Sequence, residues 1–136
     1  MRPSLAIVVV ALGFAGLGAN DCDPQSTDDV SIYTFTAAPL GASALVQERD
    51  PTIPREARVQ ITAGVALAVR CWDNCDYTCV EPRLVSADPS TLAVRPLLRP
   101  GMTGEFALVA VKSGSTTLTL ESDCATKTYP VEVIAP

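Results

Sequence analysis

From residue 59 onward the chain alternates apolar and polar positions with a period of two, the repeat of a strand that buries one face. Val65, Leu67, Val69 and Cys71 share one face, with Ala66, Ala68 and Arg70 on the other. Leu118 and Leu120 oppose Thr117, Thr119 and Glu121, and Val131 and Val133 flank Glu132. Phe106, Leu108 and Ala110 interleave with Ala107, Val109 and Val111, as in a strand covered on both sides. Residues 83–86 and 92–95 supply two shorter strands, separated by the turn signal Asp88-Pro89-Ser90. Upstream, residues 31–36 are rich in β-branched and aromatic side chains and predict another strand. Pro39, Pro51 and Pro54 keep residues 38–54 from forming a long helix or a central strand. Within that stretch, residues 42–48 are the single short helix expected. The pattern predicts an all-β sandwich of seven or eight short strands in two antiparallel sheets.

The N-terminus follows a different rule. Behind Arg2, residues 3–20 carry no charge, and residues 5–17 form an apolar run. A basic start, an apolar middle and small residues at the end are the layout of a secretory signal peptide, here residues 1–19. The apolar run, broken by Gly13 and Gly16, is short for a retained membrane anchor, which needs ~20 apolar residues. Residues 20–30 are polar and acidic, and read as a tether between the leader and a domain at 31–136. Cys22, just past the leader, is a candidate for lipidation, although Asp21 stands where a lipoprotein signal has a small residue. Export also makes a disulfide-permissive compartment, the periplasm, cell surface or medium, the expected location.

Composition narrows the chemistry. The 136 residues contain no histidine, which excludes imidazole-based triads and imidazole zinc sites. A net charge of −5 argues against nucleic acid or an anionic membrane as partner, leaving membrane contact only through the leader or a lipid on Cys22. No cofactor is expected.

Beyond residue 58 the chain resembles the bacterial immunoglobulin-like domains of the group 2 type. Val59-Gln60-Ile61-Thr62-Ala63-Gly64 looks like a strand ending in glycine, followed by the alternating residues 65–69. Leu84-Val85-Ser86-Ala87-Asp88-Pro89-Ser90-Thr91-Leu92-Ala93-Val94 looks like the family's strand, Asp-Pro-Ser turn and short strand ending in valine. Gly114-Ser115-Thr116-Thr117-Leu118-Thr119-Leu120 is similar to its glycine-led penultimate strand, and residues 129–134 to its last. Leu84 and Val85 stand where the family has tryptophan, and the cysteines are an addition. The resemblance leaves residues 31–57 as an extra N-terminal strand and loop. It implies an immunoglobulin-like sandwich that serves as a spacer, adhesion module or binding platform on exported proteins.

Such a fold puts the segment Cys71–Cys79 at the same end as Cys124. Cys71, Cys75, Cys79 and Cys124 make an even set, open to three pairings. Parity favours Cys71 with Cys124 and Cys75 with Cys79, because Cys71 and Cys124 continue inward faces; Cys79 with Cys124 and Cys71 with Cys75 is the alternative. Zinc binding by these thiols is disfavoured in an oxidising compartment. Trp72 and Tyr77, beside Asp73 and Asp76, form a candidate contact patch for a protein or carbohydrate, with Trp72 as a cover over a disulfide the competing role. Asp73, Asn74 and Asp76 lack the glycine and distal glutamate of an EF-hand loop. The expected function is therefore a non-enzymatic exported module with a structural, adhesion or protein-interaction role at the cell envelope. The alternative is a secreted inhibitor or toxin-like binder presenting the Cys71–Cys79 loop; a hydrolase using paired carboxylates such as Glu81 and Asp88 is disfavoured, since the chain offers no obvious cleft-forming insertion.

Overall fold

The computed structural model describes residues 30–48, 56–73, 81–98, 100, 103–122 and 125–136. Nine strands run through them: β1 (Val30–Thr34), β2 (Ala44–Gln47), β3 (Arg58–Thr62), β4 (Ala66–Asp73), β5 (Arg83–Ser86), β6 (Leu92–Pro96), β7 (Glu105–Ala110), β8 (Gly114–Glu121) and β9 (Thr126–Ile134). The first sheet has the order β1-β4-β7-β6 and the second β2-β3-β9-β8-β5. Four strands facing a β9-β8-β5 set reproduce the two-sheet arrangement of an immunoglobulin-like sandwich.

The alternation read from the sequence is the alternation of burial. Val65, Leu67, Val69 and Cys71 point into the core from β4 and its approach, where Leu108, Leu118, Leu120 and Tyr129 meet them. Val131 and Val133 are buried and Glu132 is exposed. In β7 only one face is fully covered: Phe106, Leu108 and Ala110 are buried, whereas Ala107 and Val109 are half-buried and Val111 is exposed.

Three expectations are corrected. Residues 42–48 form no helix. Ala44–Gln47 is strand β2, paired antiparallel with β3, and its Ala44 and Val46 lean on the core while Leu45 faces outward. The helix-favouring sequence Ala-Leu-Val-Gln is overridden by that period-two burial and the open edge of β3. The strand expected at residues 31–36 is β1, which pairs along β4 as the edge of the first sheet. Its first residue, Val30, expected at the end of the tether, is fully buried. Finally, β3 and β9 run parallel, because the start of the chain is shared between the sheets and β3 lies beside the last strand.

Pro130 sits inside β9, where a missing N–H normally breaks a ladder. The bond from Ala63 N–H to the Ile134 carbonyl fixes which residues of β9 face β3. By alternation the Pro130 nitrogen faces that side one position before the pairing begins at Val131, so no ladder bond is lost.

Candidate functional site

Two polar clusters and one unusual sheet face stand out. The first cluster joins β1, β9 and the residue after β2. Glu48 Oε1 accepts hydrogen bonds from the Tyr129 hydroxyl at 2.7 Å and from the Ile32 N–H at 3.0 Å. The same N–H also reaches the Tyr129 oxygen, at 3.2 Å. Glu48 Oε2 pairs with the Lys127 ammonium, which lies 5.5 Å from the centroid of the Tyr129 ring. Tyr129 is fully buried, and burial first, then the charge and hydrogen bond of Glu48, push its phenol well above the ordinary tyrosine range. These groups satisfy one another. Glu48 thus closes the sandwich instead of offering a free acid or base.

The second cluster lies on the outer face of the first sheet. Tyr33, Arg70 and Glu105 fall in one cross-strand row of β1, β4 and β7. Arg70 donates from Nε to Glu105 Oε1 at 3.0 Å, pairs with the same carboxylate through Nη2, and donates from Nη1 to the Tyr33 oxygen at 3.3 Å. The Glu105 hydrogen bond, followed by that of Tyr33, raises the Arg70 pKa beyond its already high ordinary value. The Glu105 side chain has no exposure, so its charge is withdrawn from solvent beneath the guanidinium.

Around that pair the face is aromatic. Trp72 meets the Tyr33 ring edge-on at 6.3 Å between centroids, and the Arg70 guanidinium lies 5.5 Å from the Phe35 ring centroid. Trp72 and Phe35 remain 36% and 38% exposed. Next to them β4 and β7 carry only small apolar side chains outward, Ala66, Ala68, Ala107 and Val109. Beyond, on β6, Arg95 is exposed and forms no ion pair among the described residues. The second sheet differs. Its outer face carries Thr117, Thr119, Thr126 and Thr128 with the Arg83–Glu121 ion pair and the Gln60–Glu132 hydrogen bond, and the exposed aliphatic Leu45 and Val85.

Trp72 therefore belongs to a strand, not to a loop. It points outward while its neighbour Cys71 is buried, so it lies on the sheet face opposite Cys71 and away from the inner disulfide position that parity favours. The backbone of Asp73 ends β4, pairing with Val30. Cys22, Cys75, Asp76, Tyr77, Cys79 and Cys124 lie outside the described residues. Sequence reading missed Tyr33, Phe35, Arg70, Glu105 and Arg95 as a group. A signal was present, for Arg70 and Glu105 occupy outward positions of adjacent strands, but their register is set by pairing that the sequence does not display.

The hydrolase pair does not form. Asp88 Oδ1 accepts from the Ser90 N–H at 3.0 Å and the Ser90 hydroxyl at 2.6 Å, and Oδ2 accepts from the Thr91 hydroxyl at 2.6 Å. Those bonds hold the Asp88 carboxyl down at about 2. Glu81 lies at the other end of β5, a strand that alone spans roughly 10 Å. Asp88 is a turn residue.

No protein-family model and no curated protein matches the chain. Among solved structures it is similar to domains 4–9 of the surface layer protein SbsC, at 23% identity and a TM-score of 0.45, over 58% of this chain and 13% of that one. It is similar also to SbsC domains 4 and 5, at 19% identity and a TM-score of 0.44, over 73% of this chain and 53% of that one. The chain thus spans about half or less of the length of these structures. At such identities and TM-scores no activity passes from them to this chain.

Proposed function

We propose that this chain is a non-enzymatic exported immunoglobulin-like module with a structural, adhesion or protein-interaction role at the cell envelope. The observation that supports this reading is the contrast between the two solvent-facing sheets. One outer face carries threonine, paired charges and the aliphatic Leu45 and Val85, while the other concentrates the aromatic Tyr33, Phe35 and Trp72 around a guanidinium. Aromatic side chains and arginine are the residues that dominate binding energy at protein surfaces. The described carboxylates with the most partners, Glu48, Asp88 and Glu105, serve the sandwich and its turn.

The leader at residues 1–19 supplies the route to the envelope. Fractionation of the native host, with intact-mass analysis of the recovered protein, tests the reading. The expected result is a chain lacking residues 1–19 in the envelope or medium. Full-length protein confined to the cytoplasm overturns it.

A further inference from the structure

We infer that the outer face of the β1-β4-β7-β6 sheet binds a carboxylated polysaccharide, the sugar rings lying on Phe35 and Trp72 and a carboxylate meeting Arg95. The inference rests on the reading of the protein as an envelope module and names the ligand chemistry of that surface.

Three features of the face carry it. The first is relief. One cross-strand row runs from Phe35 through Ala68 and Ala107 to Arg95, with the neighbouring row continuing the low floor through Ala66 and Val109. An alanine floor between an aromatic side chain and an arginine makes a shallow channel across the sheet. Four strands at ~4.8 Å spacing set the separation of β1 from β6 at about 14 Å, so the aromatic side chain and the arginine stand at opposite margins of the floor.

The second is charge. The chain carries −5 overall, yet among the described residues this face exposes no carboxylate, because the Glu105 carboxylate is sealed under Arg70. Arg95 is left as an exposed cation beside the channel. An anionic ligand meets attraction here, whereas Glu121 and Glu132 stand on the opposite sheet's outer face.

The third is the kind of surface offered. Arg70 already spends its described hydrogen bonds on Glu105 and Tyr33 and stiffens the aromatic wall by lying over Phe35. Phe35 and Trp72 stay partly exposed beside it, and their remaining ring surface suits the C–H faces of a sugar. Each unit of a uronic-acid polymer combines such a face with a carboxylate, so one chain satisfies the rings and Arg95 together. Guanidinium and carboxylate match in geometry as well as charge.

The test uses the mature chain in affinity gel electrophoresis, with polygalacturonate or neutral dextran in the gel. Polygalacturonate is expected to retard the protein, with the effect weakened by added salt, and dextran to leave it unretarded. Phe35→Ala and Arg95→Ala, each verified as folded by circular dichroism, are expected to weaken retardation at least tenfold. Thr128→Ala, on the opposite sheet, is expected to leave it unchanged. Absence of retardation, equal retardation by dextran, or undiminished retardation of both variants overturns the proposal. So does a concentration-dependent dimer abolished by Phe35→Ala, which makes the face a contact between two copies. A protein found in the envelope that ignores polygalacturonate defeats this ligand alone, whereas a cytoplasmic full-length chain defeats the reading beneath it.

Discussion

Replacing Tyr129 with phenylalanine removes one oxygen from the best-buried aromatic position and keeps the ring. The loss can be followed bond by bond. Glu48 loses the hydroxyl donor at 2.7 Å but retains the Lys127 ammonium and the Ile32 N–H. The Ile32 N–H, shared between two acceptors in the native protein, retains the Glu48 oxygen and is not orphaned. What disappears is one buried hydrogen bond to a charged acceptor, a class worth ~1.5–3 kcal/mol. Packing changes little, so about 2 kcal/mol is expected. In urea a domain of this size has a slope of roughly 1–2 kcal/mol/M, and the midpoint should fall by ~1–2 M with the slope unchanged. The pH dependence supplies a second reading. The native phenol is held above its ordinary value of 10.0, so below that value the native and unfolded states bind the proton equally. Above it the unfolded chain releases the proton first, and stability falls with rising pH by up to ~1.4 kcal/mol per unit. Tyr129→Phe should abolish that part of the alkaline slope. A loss below ~0.5 kcal/mol together with an unaltered alkaline limb refutes the assignment of this hydroxyl to the closure of β1 onto β9.

Further expectations follow the same logic. Asp88, held at about 2, contributes stability that is complete above its ordinary value of 3.8 and fades as the pH falls from there toward 2; Asp88→Asn should be less stable at neutral pH and show a flatter acid limb. Ser86 Oγ is buried without a hydrogen-bond partner among the described residues, so Ser86→Ala should raise stability, by up to ~1 kcal/mol in thermal or urea unfolding. Leu108→Ala, at a fully buried site in the centre of the first sheet, should cost about 3–5 kcal/mol in the same assay. For the cysteines, the intact mass of the mature protein should rise by four protons on reduction, the signature of two disulfides among Cys71, Cys75, Cys79 and Cys124. A rise of two or none overturns that proposal.

The strands of this protein were legible where one face is apolar and the other polar, as at Leu118 and Leu120 between threonines. They were legible because side-chain alternation is a local property of each strand. Pairing is not local. The sequence could not show that residues 44–47 join β3, or that Val30 begins a buried edge strand, since both depend on partners distant along the chain. The contact face suffered the same limit. Trp72 was recognisable as an exposed aromatic beside a cysteine, yet its companions Tyr33 and Phe35 come from a strand roughly 40 positions earlier and are brought alongside by the β1–β4 register. Asp88 went the other way. Its turn was legible as Asp88-Pro89-Ser90, a local signal, and the geometry adds that both carboxylate oxygens are occupied there.

The placement of the polar clusters also bears on how this module meets a partner. A sandwich has four edge strands, each a template for an additional strand. At β1 the outward Ile32 N–H is covered by Glu48, which follows β2, and by Tyr129 of the last strand. At β6 the ladder bonds of Thr91, on one side, and Leu97, on the other, fix the parity of the strand. By that parity Val94 and Pro96 face outward along the edge, and Pro96 has no N–H to offer. On these two edges the Ile32 N–H is already engaged and Pro96 has none, so neither position donates to an added strand. A ligand of the outer face approaches from above, onto Phe35, Trp72 and Arg95, and is recognised by side chains rather than by backbone pairing. That is the mode of recognition in which Phe35→Ala or Arg95→Ala discriminates sharply, since no backbone ladder remains to sustain binding when the side chain is removed.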